Sequence, residues 1–112
     1  MIVVRITMSV IPEKQQELVQ TLTSMNRSME IEAGCLSYSL FCNIENKNRL
    51  TLLEEWQTRK KLDHHFKSEI FTVLLGTKSL LVEPHGIQIF TVHQSEGMEA
   101  VHVARGKKRN ET

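Results

Sequence analysis

A chain of 112 residues, 40% hydrophobic and 24% charged, has the size and composition of one ordinary globular domain, which argues against disordered and collagen-like classes. Its net charge is +1: the last eight residues, RGKKRNET, carry +3, leaving a body of 10 basic and 12 acidic residues at −2 and no electrostatic case for nucleic acid. With neither a charged-then-apolar leader nor an apolar run of 18 residues, the expected protein is cytoplasmic and does not enter a membrane.

The opening IVVRITMSV alternates, with Val4, Ile6, Met8 and Val10 on one face and Arg5, Thr7 and Ser9 on the other, the period of a half-buried strand. Pro12 then suits the first turn of a helix, and Glu13 complements the positive end of its dipole. Leu18, Leu22, Met25 and Met29 continue as one apolar stripe, so a single helix is expected to run to about Glu32, stopped by Ala33-Gly34.

CLSYSLFCN reads as a second strand, with Leu36, Tyr38, Leu40 and Cys42 opposite Ser37, Ser39 and Phe41. Cys35 and Cys42 are seven apart within it, so they should lie ~23 Å apart on opposite faces and cannot pair within one chain. The polar connector IENKN leads into RLTLLEEW, expected to form a hairpin with the second strand. Neither face of this third strand is purely polar, which predicts a central position with both sides covered.

Thr58 can cap a helix over RKKLDHHFKSE, and Ser68 a second one over EIFTVLLGTKSLL before Pro84. HGIQIFTVHQ is the last strand. The order β-α-β-β-α-β with a broken second helix predicts an α+β, ferredoxin-like domain over residues 1–94, with helices on one face of an antiparallel sheet. Residues 95–112 form an extension whose Val and Met content suits contact with a partner subunit and whose basic end should fray. Val3, Phe41, Leu53, Phe90 and Val92 would face away from the helices, and such an open apolar face predicts a homodimer.

The chain's one Trp and two of its five His fall within EEWQTRKKLDHHFKSEIF. At ~100° per residue, His65 lies on the flank of the Leu62–Phe66 stripe while His64 points away, leaving His65 as the candidate acid/base and the pair unfit to share a metal. A boundary histidine bonded to a carbonyl or water is the plain alternative. Trp56 and Tyr38 read either as core anchors or as walls of a substrate site. Of Glu54 and Glu55 one must face each side of the sheet; the partly buried one is expected either to pair with a base such as Arg5 or Arg49, the favoured reading, or to be raised in pKa beside a ligand. No nucleotide-binding or serine-hydrolase motif is present.

EAGCLSYSLF (residues 32–41) followed by LTLLEEWQTRKKLDHHFKSEIF (residues 50–71) resembles the antibiotic biosynthesis monooxygenase domain family, in particular its quinol-monooxygenase-like branch. The resemblance covers residues 2 to 93. It rests on a Glu-x-Gly-Cys turn before strand two, Glu-Glu-Trp at the end of strand three and His-Phe on the following helix. It implies a dimeric α/β barrel and oxygenation of a small aromatic or quinol substrate by O2 without cofactor or metal, with His65 catalytic and Trp56, Tyr38, Phe66 and Phe71 around the substrate. The haem-degrading branch is not matched, because Thr7, His65 and Leu75 stand where it uses Asn, Trp and a haem-ligating His. Two rivals remain: a non-catalytic dimeric ligand-binding or stress-associated module, and an isomerase of a small metabolite. A deep pocket beside His65 would favour the enzyme; filling of that space by Trp56, Phe66 and Phe71 would favour the ligand-binding or stress-associated module.

Overall fold

The computed structural model describes residues 1–106, so most of the basic RGKKRNET end lies outside the described residues. Four antiparallel strands, β1 (Ile2–Ser9), β2 (Cys35–Cys42), β3 (Arg49–Trp56) and β4 (Gly86–Thr91), form one sheet in the order β2-β3-β1-β4. The helices are α1 (Gln15–Ser24), α2 (Asn26–Glu30), α3 (Arg59–Phe66), α4 (Glu69–Gly76) and α5 (Met98–Ala104). The α+β ferredoxin-like order expected from periodicity is the one observed, and β3 is central, between β2 and β1.

Strand alternation decides which side meets the helices. Ile2, Val4, Ile6 and Met8 of β1 stand opposite Trp56, Glu54, Leu52 and Leu50 of β3, and all eight are buried. Leu18, Leu22 and Met29 from α1 and α2, with Leu62, Phe71 and Leu74 from α3 and α4, close this core. On the opposite face Thr51, Leu53 and Glu55 of β3 are only half-buried, so the expected cover on both sides of this strand is complete on one side alone.

The first helix is not continuous. A 3-10 turn at Pro12–Lys14 precedes α1, and the chain breaks at Met25 before resuming as α2. Thr21, Thr23 and Ser24 each donate a side-chain hydrogen bond back to a carbonyl of α1, competing with the regular ladder at its last turn. The apolar stripe at Leu18, Leu22, Met25 and Met29 is nevertheless buried, because a one-residue break preserves its facing. The second helical segment divides as expected: the Thr58 hydroxyl accepts from Lys61 N–H to start α3, and that of Ser68 accepts from Phe71 N–H to start α4.

Strand β2 carries a register shift between Cys35 and Ser37. The extra residue turns Leu36 out to solvent and restarts the alternation, so Cys35 opposite Trp56 and Cys42 opposite Leu50 share the helix-side face. That corrects the expectation of opposite faces; both cysteines are free thiols. Strand β4 is exposed along its whole length, and α5 presents Met98, Val101 and Val103 to solvent. Among the described residues no helix is long and apolar enough to cross a membrane.

Candidate functional site

The third strand delivers two functional side chains to the core. Glu54 and Trp56 are two residues apart and so share the helix-side face, where the indole Nε1–H donates to Glu54 Oε1 at 2.9 Å. This corrects the expected partner: Arg5 and Arg49 lie on the opposite face, where Arg5 donates to Gln88 and covers the Phe90 ring at 5.6 Å. Glu55, also on that face, accepts from the Ser37 hydroxyl at 2.6 Å. Glu54 is thus a carboxyl 1% exposed with a neutral donor and no cation, and burial pushes its pKa up.

Helix α3 brings His65 down onto this pair. Helical phase correctly separates an exposed His64 from an inward His65, but His65 lies deeper than a flank position, at 2% exposed. Its ring stacks on Trp56 at 4.7 Å between centroids and 30° between planes, and Phe71 meets it edge-on at 5.4 Å. Phe66 lies 6.3 Å away and packs on Phe71 at 4.9 Å. Of the five residues singled out in the sequence, His65, Trp56, Phe66 and Phe71 therefore form one aromatic cluster. Tyr38 stands beside it as the cross-strand neighbour of Glu54.

Two carboxyls bracket the imidazole: Nε2 is 3.9 Å from Glu54 Oε1, and Nδ1 is 3.8 Å from Glu32 Oε1. Both separations exceed a hydrogen bond. Burial lowers the His65 pKa, partly opposed by the negative charge of Glu32, while it raises that of Glu54. The Glu54–His65 approach is therefore within ion-pair range, yet burial drives both groups toward their neutral forms, and we read it as a neutral contact.

Other groups nearby are also held neutral. Burial, reinforced by Glu54, raises the Tyr38 phenol, and the same two causes push the Cys35 thiol up to about 11. Among the described residues, the Tyr38 hydroxyl and His65 Nδ1 are buried without a hydrogen-bond partner. Unpaired buried polar atoms are uncommon and costly, and two of them border the same interior site. A surface recess of ≈ 260 Å³ lined by Asn26, Met29, Glu30, Cys35, Leu36, Ser37 and Tyr38 opens on one side, and one of ≈ 430 Å³ lined in part by Glu32 and Ile70 on the other. His65 and Trp56 line neither; the aromatic rings occupy the space around the imidazole. Among the described residues no group of three or more His, Cys, Asp or Glu could hold a metal ion.

Sequence reasoning placed His65 and Trp56 but assigned Glu54 the wrong partner and gave Glu32 no role beyond its turn. The two-residue spacing of Glu54 and Trp56 on one strand was a readable signal for their contact. The approach of Glu32, 33 positions before His65, had none.

Comparison with known proteins agrees with the fold. The family model described as antibiotic biosynthesis monooxygenase matches residues 1–74. The uncharacterised protein sll1783 of Synechocystis sp. is 31% identical over 99 residues, which is 85% of this chain and 65% of that protein, so the chain spans about two thirds of this relative's length. The crystal structure of a conserved protein from Methanosarcina mazei Go1 is 32% identical, with a TM-score of 0.75 over 80% of this chain and 89% of that one. A crystal structure of an antibiotic biosynthesis monooxygenase superposes with a TM-score of 0.77 at 21% identity, covering 84% of this chain and all of that one, which speaks to the fold.

Proposed function

Because the chain belongs to the antibiotic biosynthesis monooxygenase family, we propose that it is a cytoplasmic monooxygenase that inserts one atom of O2 into a small aromatic or quinol substrate without a cofactor. The observation that carries this reading is a buried imidazole with an unpartnered nitrogen, set against a buried carboxyl. In a site of this kind the substrate supplies all four electrons: a quinol plus O2 gives a hydroxyquinone plus one water. The protein need only remove a hydroxyl proton, stabilise the resulting anion and exclude bulk water.

His65, kept neutral by burial, accepts the hydroxyl proton and later returns it to the departing oxygen. Glu54 and Tyr38, both held protonated by burial, donate hydrogen bonds to the anionic substrate oxygen. In this reading Trp56, Phe66 and Phe71, which pack around the imidazole, part to admit the aromatic ring of the substrate and then wall it. Val3, Phe41, Leu53 and Phe90 support association of two copies through the open sheet face into an α/β barrel, with the described part of the extension, residues 95–106, reaching the partner.

His65→Ala should retain the folded near-ultraviolet spectrum yet lose roughly 100-fold or more in O2 consumption with an active quinol, the usual scale for a removed general base. Undiminished uptake by that variant refutes the catalytic role. A second reading, a dimeric ligand-binding module without turnover, draws support from the close packing of Trp56, Phe66 and Phe71 around His65. Quinol binding in calorimetry with no O2 consumption by the unmodified protein would establish it instead.

A further inference from the structure

We infer that Glu32 is the positioning residue for His65: its carboxylate takes the Nδ1 proton as a hydrogen bond and leaves the Nε2 lone pair, on the Glu54 side of the ring, as the base. The inference rests on the reading of His65 as the proton acceptor and assigns a residue to its control. The two carboxyls beside the ring are nearly equidistant, at 3.8 Å and 3.9 Å, but are not equivalent. Glu54 is sealed in the core and its Oε1 already accepts from Trp56. Glu32 is 24% exposed at its side chain and lines the ≈ 430 Å³ recess with Ser24, Ser28 and Glu69, so it is the more solvated of the two. It faces Nδ1, a ring nitrogen buried without a hydrogen-bond partner.

The segment that carries Glu32 is pinned from both sides. Glu32 N–H donates to Met29 O at 3.2 Å and Cys35 N–H to Glu32 O at 3.1 Å, while Gln57 N–H donates to Gly34 O at 2.8 Å and ties the turn to the end of β3. Gly34 has φ +84°, and a Cβ there would lie 2.6 Å from the Lys61 side chain, so the turn packs directly on α3 one helical turn before His65. The inferred bond requires the partly solvated Glu32 side chain to close the 3.8 Å separation from Nδ1. The arrangement is that of a carboxylate orienting an imidazole whose other nitrogen does the chemistry. Stacking on Trp56 adds a π-face that favours the protonated ring.

The titratable groups around the imidazole are Glu54 from β3, Tyr38 and Cys35 from β2, Glu32 from the turn, Glu69 from α4 at the recess, and Lys61 on α3 itself. Burial holds Glu54, Tyr38 and Cys35 in their neutral forms. Of the two carboxyls within 4 Å, Glu32 is therefore the counter-ion, and the ring's response to its removal should differ from its response to removal of Glu54.

The test is a 15N NMR titration of histidine-labelled full-length protein, with the His65 resonances assigned by their loss in His65→Gln. The unmodified protein should show the Nδ1–H tautomer. Glu32→Gln should keep that tautomer, since the amide oxygen still accepts, but lower the midpoint by about one pH unit, tenfold in the acid constant. Glu32→Ala should lower the midpoint similarly and let the Nε2–H tautomer appear. Glu54→Gln should change the midpoint less than either. The inference is overturned if Glu32→Ala leaves tautomer and midpoint as in the unmodified protein, or if Glu54→Gln moves the midpoint more than Glu32→Gln. Because the readout needs no turnover, an inactive protein with these shifts would refute the monooxygenase reading and leave the role of Glu32 standing.

Discussion

The two faces of the sheet are built from alternate residues of the same strands, yet they have become different materials. On the helix side, Val4, Ile6, Leu52 and Trp56 are fully buried and even the carboxyl of Glu54 is sealed. On the other side Phe41 and Phe90 remain 53% and 44% exposed, among Arg5, Gln88 and Glu55, which satisfy one another or nearby hydroxyls at the surface. Only the enclosed face can change the chemistry of a titratable group, because only there is water's stabilisation of charge withdrawn. In the proposed reading the contrast puts the chemistry on the helix side and association on the other.

The largest effect expected from breaking this contrast is at Trp56. Trp56→Ala should cost about 3–5 kcal/mol in urea unfolding, from the lost ring volume and the cavity left behind, and it also strips Glu54 of its donor. A cost below about 1 kcal/mol would mean that the indole is not the core anchor its burial indicates.

Next is Glu54, where the enclosed face should act on stability through pH. Its folded pKa lies above the ordinary 4.5, so between 4.5 and that value the folded state binds more protons than the unfolded one, and stability falls as pH rises. His65 works in the opposite direction: its folded pKa lies below 6.5, so stability is lost as pH falls below about 6.5. Glu54→Gln keeps an acceptor for Trp56 and removes the first dependence alone. Its stability relative to the unmodified protein should therefore increase as pH rises above 4.5 and level off once pH passes the raised folded pKa, measured by urea unfolding at each pH. A pH-independent difference would place the charge of Glu54 outside the folding equilibrium.

The smallest effect on the fold should come from the open face. Replacing Phe41 and Phe90 together by Ser should change the urea midpoint of dilute protein little, by about 0.5 kcal/mol or less, as is usual for exposed positions. In the dimer reading the same double variant should shift the mass in light scattering from two copies toward one at micromolar concentration. An unchanged mass would separate these rings from association.

The sequence by itself determined the order of the four strands and of the helices packed on them, the strand faces beyond the start of β2 and the inward turn of His65, because periods of 2 and 3.6 are local and a core rewards them directly. Thr58 and Ser68 were readable as caps for the same reason, their partners lying only three residues away. The break at Met25 and the shift at Leu36 escaped, since each depends on one residue's competition between nearly equal backbone arrangements. Tertiary structure alone decided that the Glu54–Trp56 pair meets His65, and that Glu32 arrives at the other ring nitrogen. Those contacts bring together a strand, a helix and a turn through long-range packing, and the resulting desolvation, which sets the character of every acid and base in the site, belongs to no single stretch of chain.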